Sequence, residues 1–277
     1  MNVKYLPDPE SVEMLNTEEL RDYFLLDDLF EKGKILLHYV EIDRAILGSV
    51  VPVDTDLQLT ANKDTMAADY FCQRRELGII NIGASGTVEV DGKNFSLHNL
   101  DGLYIGRGSK SVVFRSDKPE NPAQFYLLSY PSHASYPTKF IARNDTDKTT
   151  LGENESANKR IIEKYIHPEG VKSAQLVMGV THIQPGSVWN TLPPHTHRRR
   201  TEIYFYFNIQ NNQVVFHFCG EPNRTKHLVI RNKQAVISPS WSIHAGVGSH
   251  YYSFVWGMGG ENQDFADMDW VAMEELR

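Results

Sequence analysis

The chain has 277 residues, a formal charge of −7 from 28 Lys+Arg against 35 Asp+Glu, and 41% apolar side chains. That length suits one large domain or two compact ones, and the composition excludes a disordered or fibrous protein. With a sequence pI of about 5.9 there is no net basic field for nucleic acid, and no apolar run approaches the ~18 residues of a membrane span.

Along the chain, "MNVKYLPDPESVEML" places acidic residues and prolines where a signal peptide would carry its apolar core, so a cytoplasmic protein is expected. Residues 17–30, "TEELRDYFLLDDLF", space Leu20, Phe24, Leu25 and Leu29 as a helix does. Thr17 is followed three residues later by Leu20 rather than Glu, which predicts an ordinary cap. Short runs of Val, Ile, Phe and Tyr follow, punctuated by Asp91-Gly92 and Gly106-Arg107-Gly108, the rhythm of an antiparallel sandwich or barrel. The polar stretch 144–160 reads as a linker between a domain over 1–145 and a domain over 146–277, and 266–276 reads as a closing helix. Cys72 and Cys219, far apart and in no C-x-x-C arrangement, form neither a thiolate metal site nor a disulfide framework.

The two halves share a pattern. When Glu76 of "RRELGIINIGASGTVEVDG" is set against Glu202 of "RTEIYFYFNIQNNQVVFHFCG", Val88 meets Val214 and the turn "ASG" meets "QNN". This predicts a duplicated β-barrel. In the same frame Asp69 and Phe71 stand where the second half has His195 and His197. A phenylalanine cannot ligate a metal, so the first barrel is expected to be metal-free and to serve packing or assembly.

The stretch "LPPHTHRRRTEIYFYF" is either a set of metal ligands or a polar loop ahead of a buried strand. On an extended chain His195 and His197 project to one side, and Glu202 joins them if the "RRR" stretch turns into the next strand. His244, in "ISPSWSIHAGVG", adds a fourth donor. A lone H-x-H pair is nonspecific, whereas H-x-H-x4-E followed some forty residues later by Pro-x4-His is specific. Three imidazoles and a carboxylate suit Zn²⁺, and accept Fe²⁺, Mn²⁺, Ni²⁺ or Co²⁺ as well. Strand alternation from Glu202 places Tyr204, Tyr206 and Asn208 on the same face, where they either line a pocket or, for the tyrosines, pack as buried aromatics with satisfied hydroxyls. His182 and His217 lie in apolar strand contexts and read as core or surface histidines. Arg198, Arg199, Arg200 and Lys164 are the cations near the motif that could bind a carboxylate. No pattern identifies the general base, for which Tyr204, Tyr206 and Arg200 are the pocket residues to consider.

These two motifs resemble those of cupins, although Trp241 stands at the usual glycine of the second and no glycine follows Glu202 at the usual spacing. More narrowly, "RRELGIINIG", "ASYPTKFI", "WNTLPPHTH", "EIYFYFN", "QAVISPSWSIHAGVG" and "WGMGGENQDFADMD" resemble the 5-keto-4-deoxyuronate isomerase family over nearly the whole chain. The resemblance implies an all-β bicupin with short peripheral helices and one zinc in the C-terminal barrel, held by His195, His197, Glu202 and His244. It implies a homohexamer without nucleic-acid or membrane partners, acting on a small keto-uronate released in pectin breakdown. The implied reaction is an aldose–ketose interconversion through an enediol. A different metal-dependent cupin enzyme, such as an Fe(II) dioxygenase or a sugar epimerase, and a non-enzymatic sugar-binding bicupin are the alternatives.

Overall fold

Period-two alternation gives strands such as Gly86–Val90 and Val112–Ser116 one buried and one more exposed face, whereas apolar-rich strands such as Arg75–Asn81 and Ser253–Gly260 are buried almost throughout. In the computed structural model, which describes residues 1–277, the strands build two pairs of sheets. One compact unit comprises Met1–Lys4, Asp28–Thr146 and Tyr165–Val177; the other comprises Tyr5–Asp27, Asp147–Lys164 and Met178–Arg277.

In the first unit the seven-stranded sheet runs in the order Asn2–Lys4, Ile35–Val40, Ile46–Val50, Phe125–Pro131, Arg75–Asn81, Gly102–Ile105, Lys139–Ile141. Its four-stranded partner runs Leu57–Gln58, Val112–Ser116, Gly86–Val90, Lys93–Leu97. Val88, Val90, Leu97, Phe114 and Phe125 turn inward between them, each buried side chain contributing about 1.5–3 kcal/mol. The hairpin joining Val90 to Lys93 has only Asp91 (φ 49°) and Gly92 (φ 82°) in its loop. Positive φ at both positions is the geometry that Asp-Gly supplies and that matches strand twist.

The second unit repeats this topology as a jelly-roll pair. Its seven-stranded sheet runs Asp147–Leu151, Arg160–Ile166, Val177–Ile183, Ser253–Gly260, Arg200–Phe207, Gln234–Ser238, Leu25–Leu26, and its four-stranded sheet Trp189–Asn190, Ala245–Gly248, Val215–Glu221, Arg224–Ile230. The strands bearing Glu76 and Glu202 hold the same place, fifth in each seven-stranded order.

Several expectations need correction. The first helix ends at Phe24, and Leu25–Leu26 pair instead with Val236 and Ala235. Its cap is Asn16, not Thr17: Asn16 accepts from the Glu18 and Glu19 amides while Glu19 reaches back to the Asn16 amide, a full capping box. This segment, Tyr5–Asp27, belongs to the second unit, which a cut at 145/146 does not capture. Part of the stretch read as a linker is a strand, Asp147–Leu151, paired with Arg160–Ile166. The closing helix is absent: Asp269–Trp270 are extended against His195–Thr196, and only a short 3-10 turn, Met273–Glu275, follows. Trp241, the departure from the cupin glycine, packs edge-on to Phe24 at 6.3 Å between ring centroids. Both cysteines are buried, and burial pushes their thiols up to about 12, so neither is a reactive thiolate.

Candidate metal centre and its cavity

Arg200–Phe207 is buried along its whole length and is hydrogen-bonded on both edges, between Gln234–Ser238 and Ser253–Gly260. Alternation sends Glu202, Tyr204 and Tyr206 to the inner face and Ile203, Phe205 and Phe207 to the other. His195 and His197 reach Glu202 from the extended segment ahead of that strand, where His195 pairs with Trp270. His244 precedes the strand Ala245–Gly248 and follows a turn in which the Ser242 amide donates to Pro239 O at 2.9 Å.

The four side chains converge. His195 Nε2 lies 3.1 Å from His197 Nε2 and 2.9 Å from His244 Nε2; Glu202 Oε2 lies 3.0 Å from His197 Nε2 and 2.9 Å from His244 Nε2. All four residues are buried, and their donor atoms lie within 4.8 Å of one another. His197 Nδ1 sits 2.6 Å from the carbonyl oxygen of Asp267, which can only accept, so Nδ1 carries the ring proton and Nε2 presents a lone pair. Arg200 Nη2 lies 3.3 Å from the same Nδ1, but it could donate there only to a lone pair, and the much shorter carbonyl contact fixes the proton on Nδ1. With neutral rings, only His195 and His244 have an Nε2 proton to offer. Two protons cannot serve four contacts, and the His197–Glu202 contact joins a lone pair to a carboxylate. A cation at the centre satisfies all four, so the donor set fits a divalent metal. Burial, with His244 beside it, pushes the His195 imidazolium down to about 2, leaving that ring neutral as a ligand must be. Burial alone would raise the Glu202 carboxyl; His244 and His197 outweigh it and hold Glu202 well below the usual carboxylate range.

His195, His197 and Glu202 open onto a cavity of about 260 Å³ in the same unit, near the small end of the ~300–1,000 Å³ range of ligand sites. Its apolar wall includes Phe254, Trp256, Met258, Phe265, Met268 and Trp270; its polar lining is Arg160, Thr181, Asn190, Thr191 and Tyr204. Burial and the Glu202 charge push the Tyr204 phenol well above its ordinary value, so the hydroxyl keeps its proton.

The residues read from sequence divide clearly. Tyr204 lines the cavity; Tyr206 does not, and its hydroxyl lies 2.7 Å from Nδ1 of the buried His217. Asn208 lies beyond the strand, exposed, at φ 58°. His182 is half-buried, with Nδ1 2.8 Å from Ser253 Oγ. None of the four cations chosen near the motif lines the cavity. Arg198 is exposed; Arg199 is held by Asp267 and Asp269; Lys164 pairs with Asp147; Arg200 is buried beside His197.

The cation that does line it is Arg160, which sequence reasoning assigned to the linker. Its Nη1 donates to Asn158 O at 2.9 Å, its Nε is buried without a partner, and its tyrosine neighbours are Tyr204 and Tyr252. The available signal was alternation: Arg160 and Ile162 both reach the cavity from one strand.

In the first unit the counterpart carboxylate is enclosed differently. Glu76 accepts the amides of Ala174, Gln175 and Leu176 at 2.7–2.8 Å and the Tyr104 hydroxyl at 2.8 Å. Phe71 is core, and Asp69 is exposed in an ion pair with Lys63.

Comparison with known proteins agrees with this architecture. The chain is 52% identical over 277 residues to a 4-deoxy-L-threo-5-hexosulose-uronate ketol-isomerase from Lachnoclostridium phytofermentans, and 50% identical to one from Caldicellulosiruptor bescii, each match covering 100% of both chains. Among solved structures, an IolB-like protein from Salmonella typhimurium superposes with a TM-score of 0.70 at 12% identity, covering 90% of this chain and 96% of that one. Oxalate decarboxylase from Bacillus subtilis gives 0.59 at 10% identity, covering 87% and 78%; both likenesses concern the fold alone. Residues 29–273 match the KduI/IolB family, and with the full-length relatives this shows that the chain belongs to it.

Proposed function

We propose that the protein is a metal-dependent aldose–ketose isomerase. It converts 5-dehydro-4-deoxy-D-glucuronate (4-deoxy-L-threo-5-hexosulose uronate) to 3-deoxy-D-glycero-2,5-hexodiulosonate in uronate catabolism. The observation that carries this reading is a convergent three-histidine, one-glutamate donor set opening onto a small cavity whose only lining cation is Arg160. The full-length identity to named ketol-isomerases supports the same reaction.

His195, His197, Glu202 and His244 would hold the ion, with zinc as the ion of choice. When bound, it supplies Lewis-acid stabilisation of the negative charge that develops in the enediolate. Arg160 binds the substrate carboxylate, because a guanidinium with free donors and no carboxylate of its own matches that group. The Tyr204 hydroxyl, protonated at neutral pH, donates a hydrogen bond to a substrate oxygen. Trp256, Phe254 and Phe265 shield the reacting carbons from water. Outside the donor set no carboxylate or imidazole lines the cavity; the Tyr204 hydroxyl, which keeps its proton, can deliver one to a substrate oxygen but is not the base that removes one from carbon.

A homohexameric, cytoplasmic enzyme without nucleic-acid or membrane partners, carrying its metal in the C-terminal unit alone, belongs to the same proposal; no helix is long and apolar enough to cross a membrane. Metal content and turnover of the keto-uronate, measured together on parent, His197→Ala and His244→Ala, test the reading. Loss of both in each variant is expected, and undiminished metal in both variants would contradict it. Oxygen consumption during turnover would favour a dioxygenase.

A further inference from the structure

Of the three imidazoles, only His197 has its second ring nitrogen fixed by the chain. Nδ1 of His195 and Nδ1 of His244 are buried without a hydrogen-bond partner, whereas Nδ1 of His197 donates to Asp267 O at 2.6 Å. Asp267 lies far along the sequence, in a strap that returns over the site after the strand Ser253–Gly260. What keeps its carbonyl in place is its own side chain. The carboxylate accepts Arg199 Nε at 2.9 Å, Arg199 Nη2 at 2.6 Å and Asn262 Nδ2 at 2.6 Å. Arg199 Nη2 also reaches Asp269 at 2.9 Å, and the backbone pairs His195 with Trp270 and Thr196 with Asp269. The segment bearing two ligand histidines and the strap are therefore clipped together on both sides of His197.

We infer that Asp267 is a positioning residue: its carboxylate, gripped by Arg199 and Asn262, holds its carbonyl where it locks His197 as the Nδ1–H tautomer with Nε2 aimed at the metal. The inference rests on the metal-site reading proposed above. A ligand histidine whose far nitrogen donates to a fixed acceptor pays no reorientation entropy on binding, and loss of such a partner typically weakens metal affinity about 10- to 100-fold. The assignment also accounts for Arg199. An arginine three residues from Glu202 is committed to the strap rather than to substrate, its fork matched bidentately to one carboxylate.

The test titrates the apo full-length chain with Zn²⁺ and with Co²⁺ and follows the visible ligand-field bands of the cobalt form. Asp267→Ala is expected to raise the metal Kd about 10- to 100-fold and to change the cobalt spectrum, while the melting temperature of the apo chain stays close to that of the parent. Asp267→Asn, which keeps one acceptor for Arg199, should fall between parent and alanine. Arg199→Gln and Asn262→Ala remove the grip without altering the residue that supplies the carbonyl, and should shift Kd in the same direction. They decide the matter if Asp267→Ala does not fold. Parental Kd and an unchanged cobalt spectrum in Asp267→Ala, or in both grip variants should Asp267→Ala fail to fold, would overturn the assignment while leaving the metal site standing. A parent chain that binds neither ion would instead defeat the metal-site reading itself, and this inference with it.

Discussion

Replacing Arg160 by methionine isolates the role of the one cation on the cavity wall. Methionine keeps an apolar stem and removes the guanidinium, which has no carboxylate partner in the chain and leaves Nε buried and unpaired. Folding therefore loses little: the single bond to Asn158 O is offset by removing a partly desolvated charge, and stability should change by no more than about 1 kcal/mol. Binding loses much more, because removing one member of a buried, hydrogen-bonded charge pair costs about 2–5 kcal/mol. At about 1.36 kcal/mol per factor of ten, kcat/KM for the keto-uronate should fall roughly 30- to 5,000-fold. The assay compares parent and Arg160→Met on the acid and on its carboxamide. The parent should prefer the acid strongly, and the variant should discriminate little between them. An equal loss on both substrates, or undiminished kcat/KM on the acid, would refute the reasoning.

Other consequences are independent of Arg160. His217 is fully buried, and burial, aided by His244, pushes its imidazolium down to about 3. The unfolded chain binds that proton from about pH 6.5 downward, so the stability His217 contributes is complete above that pH and declines by about 1.4 kcal/mol per unit towards pH 3. His217→Phe should flatten the acid limb of the melting profile of the apo chain. Glu76→Ala removes the acceptor of one buried amide, two half-buried amides and the Tyr104 hydroxyl, and should destabilise the first unit by several kcal/mol without changing metal bound per folded chain, as read by denaturant melts and elemental analysis. Gly179→Ala places a Cβ 2.3 Å from Trp256 Cζ2 and 2.5 Å from Glu163 O. It should cost about 1–3 kcal/mol and disturb KM, because Trp256 lines the cavity.

The donor set was legible because its elements are short-range: two histidines on one extended segment, a glutamate entering the next strand, and a histidine after a proline turn. Duplication was legible for the same reason, since Glu76 and Glu202 sit at equivalent places in repeated strand orders. What escaped depends on contacts distant in sequence. Residues 266–276 have helical composition, but pairing of Asp269–Trp270 with His195–Thr196 and the Arg199–Asp267 ion pair override that propensity. Arg160 was hidden in a polar run whose end is a strand facing the cavity. Proximity to the motif favoured Arg198, Arg199 and Arg200, but Arg198 is exposed, Arg199 is held by Asp267 and Asp269, and Arg200, on the Glu202 side of its strand, is buried beside His197 without lining the cavity. Tyr204 and Tyr206 share a face, yet depth along that face separates them: one meets the cavity, the other His217.

The central claim is that this chain isomerises a keto-uronate with the help of a metal held by His195, His197, Glu202 and His244. The most direct measurement is turnover of freshly generated 5-keto-4-deoxyuronate by one preparation as purified, after chelation, and after return of one equivalent of zinc, with circular dichroism recorded at each stage. The account predicts activity lost on chelation while the β-sheet spectrum persists, and recovered at one equivalent per chain. Full turnover by the metal-free, folded protein, or none by the zinc-loaded one, would contradict it.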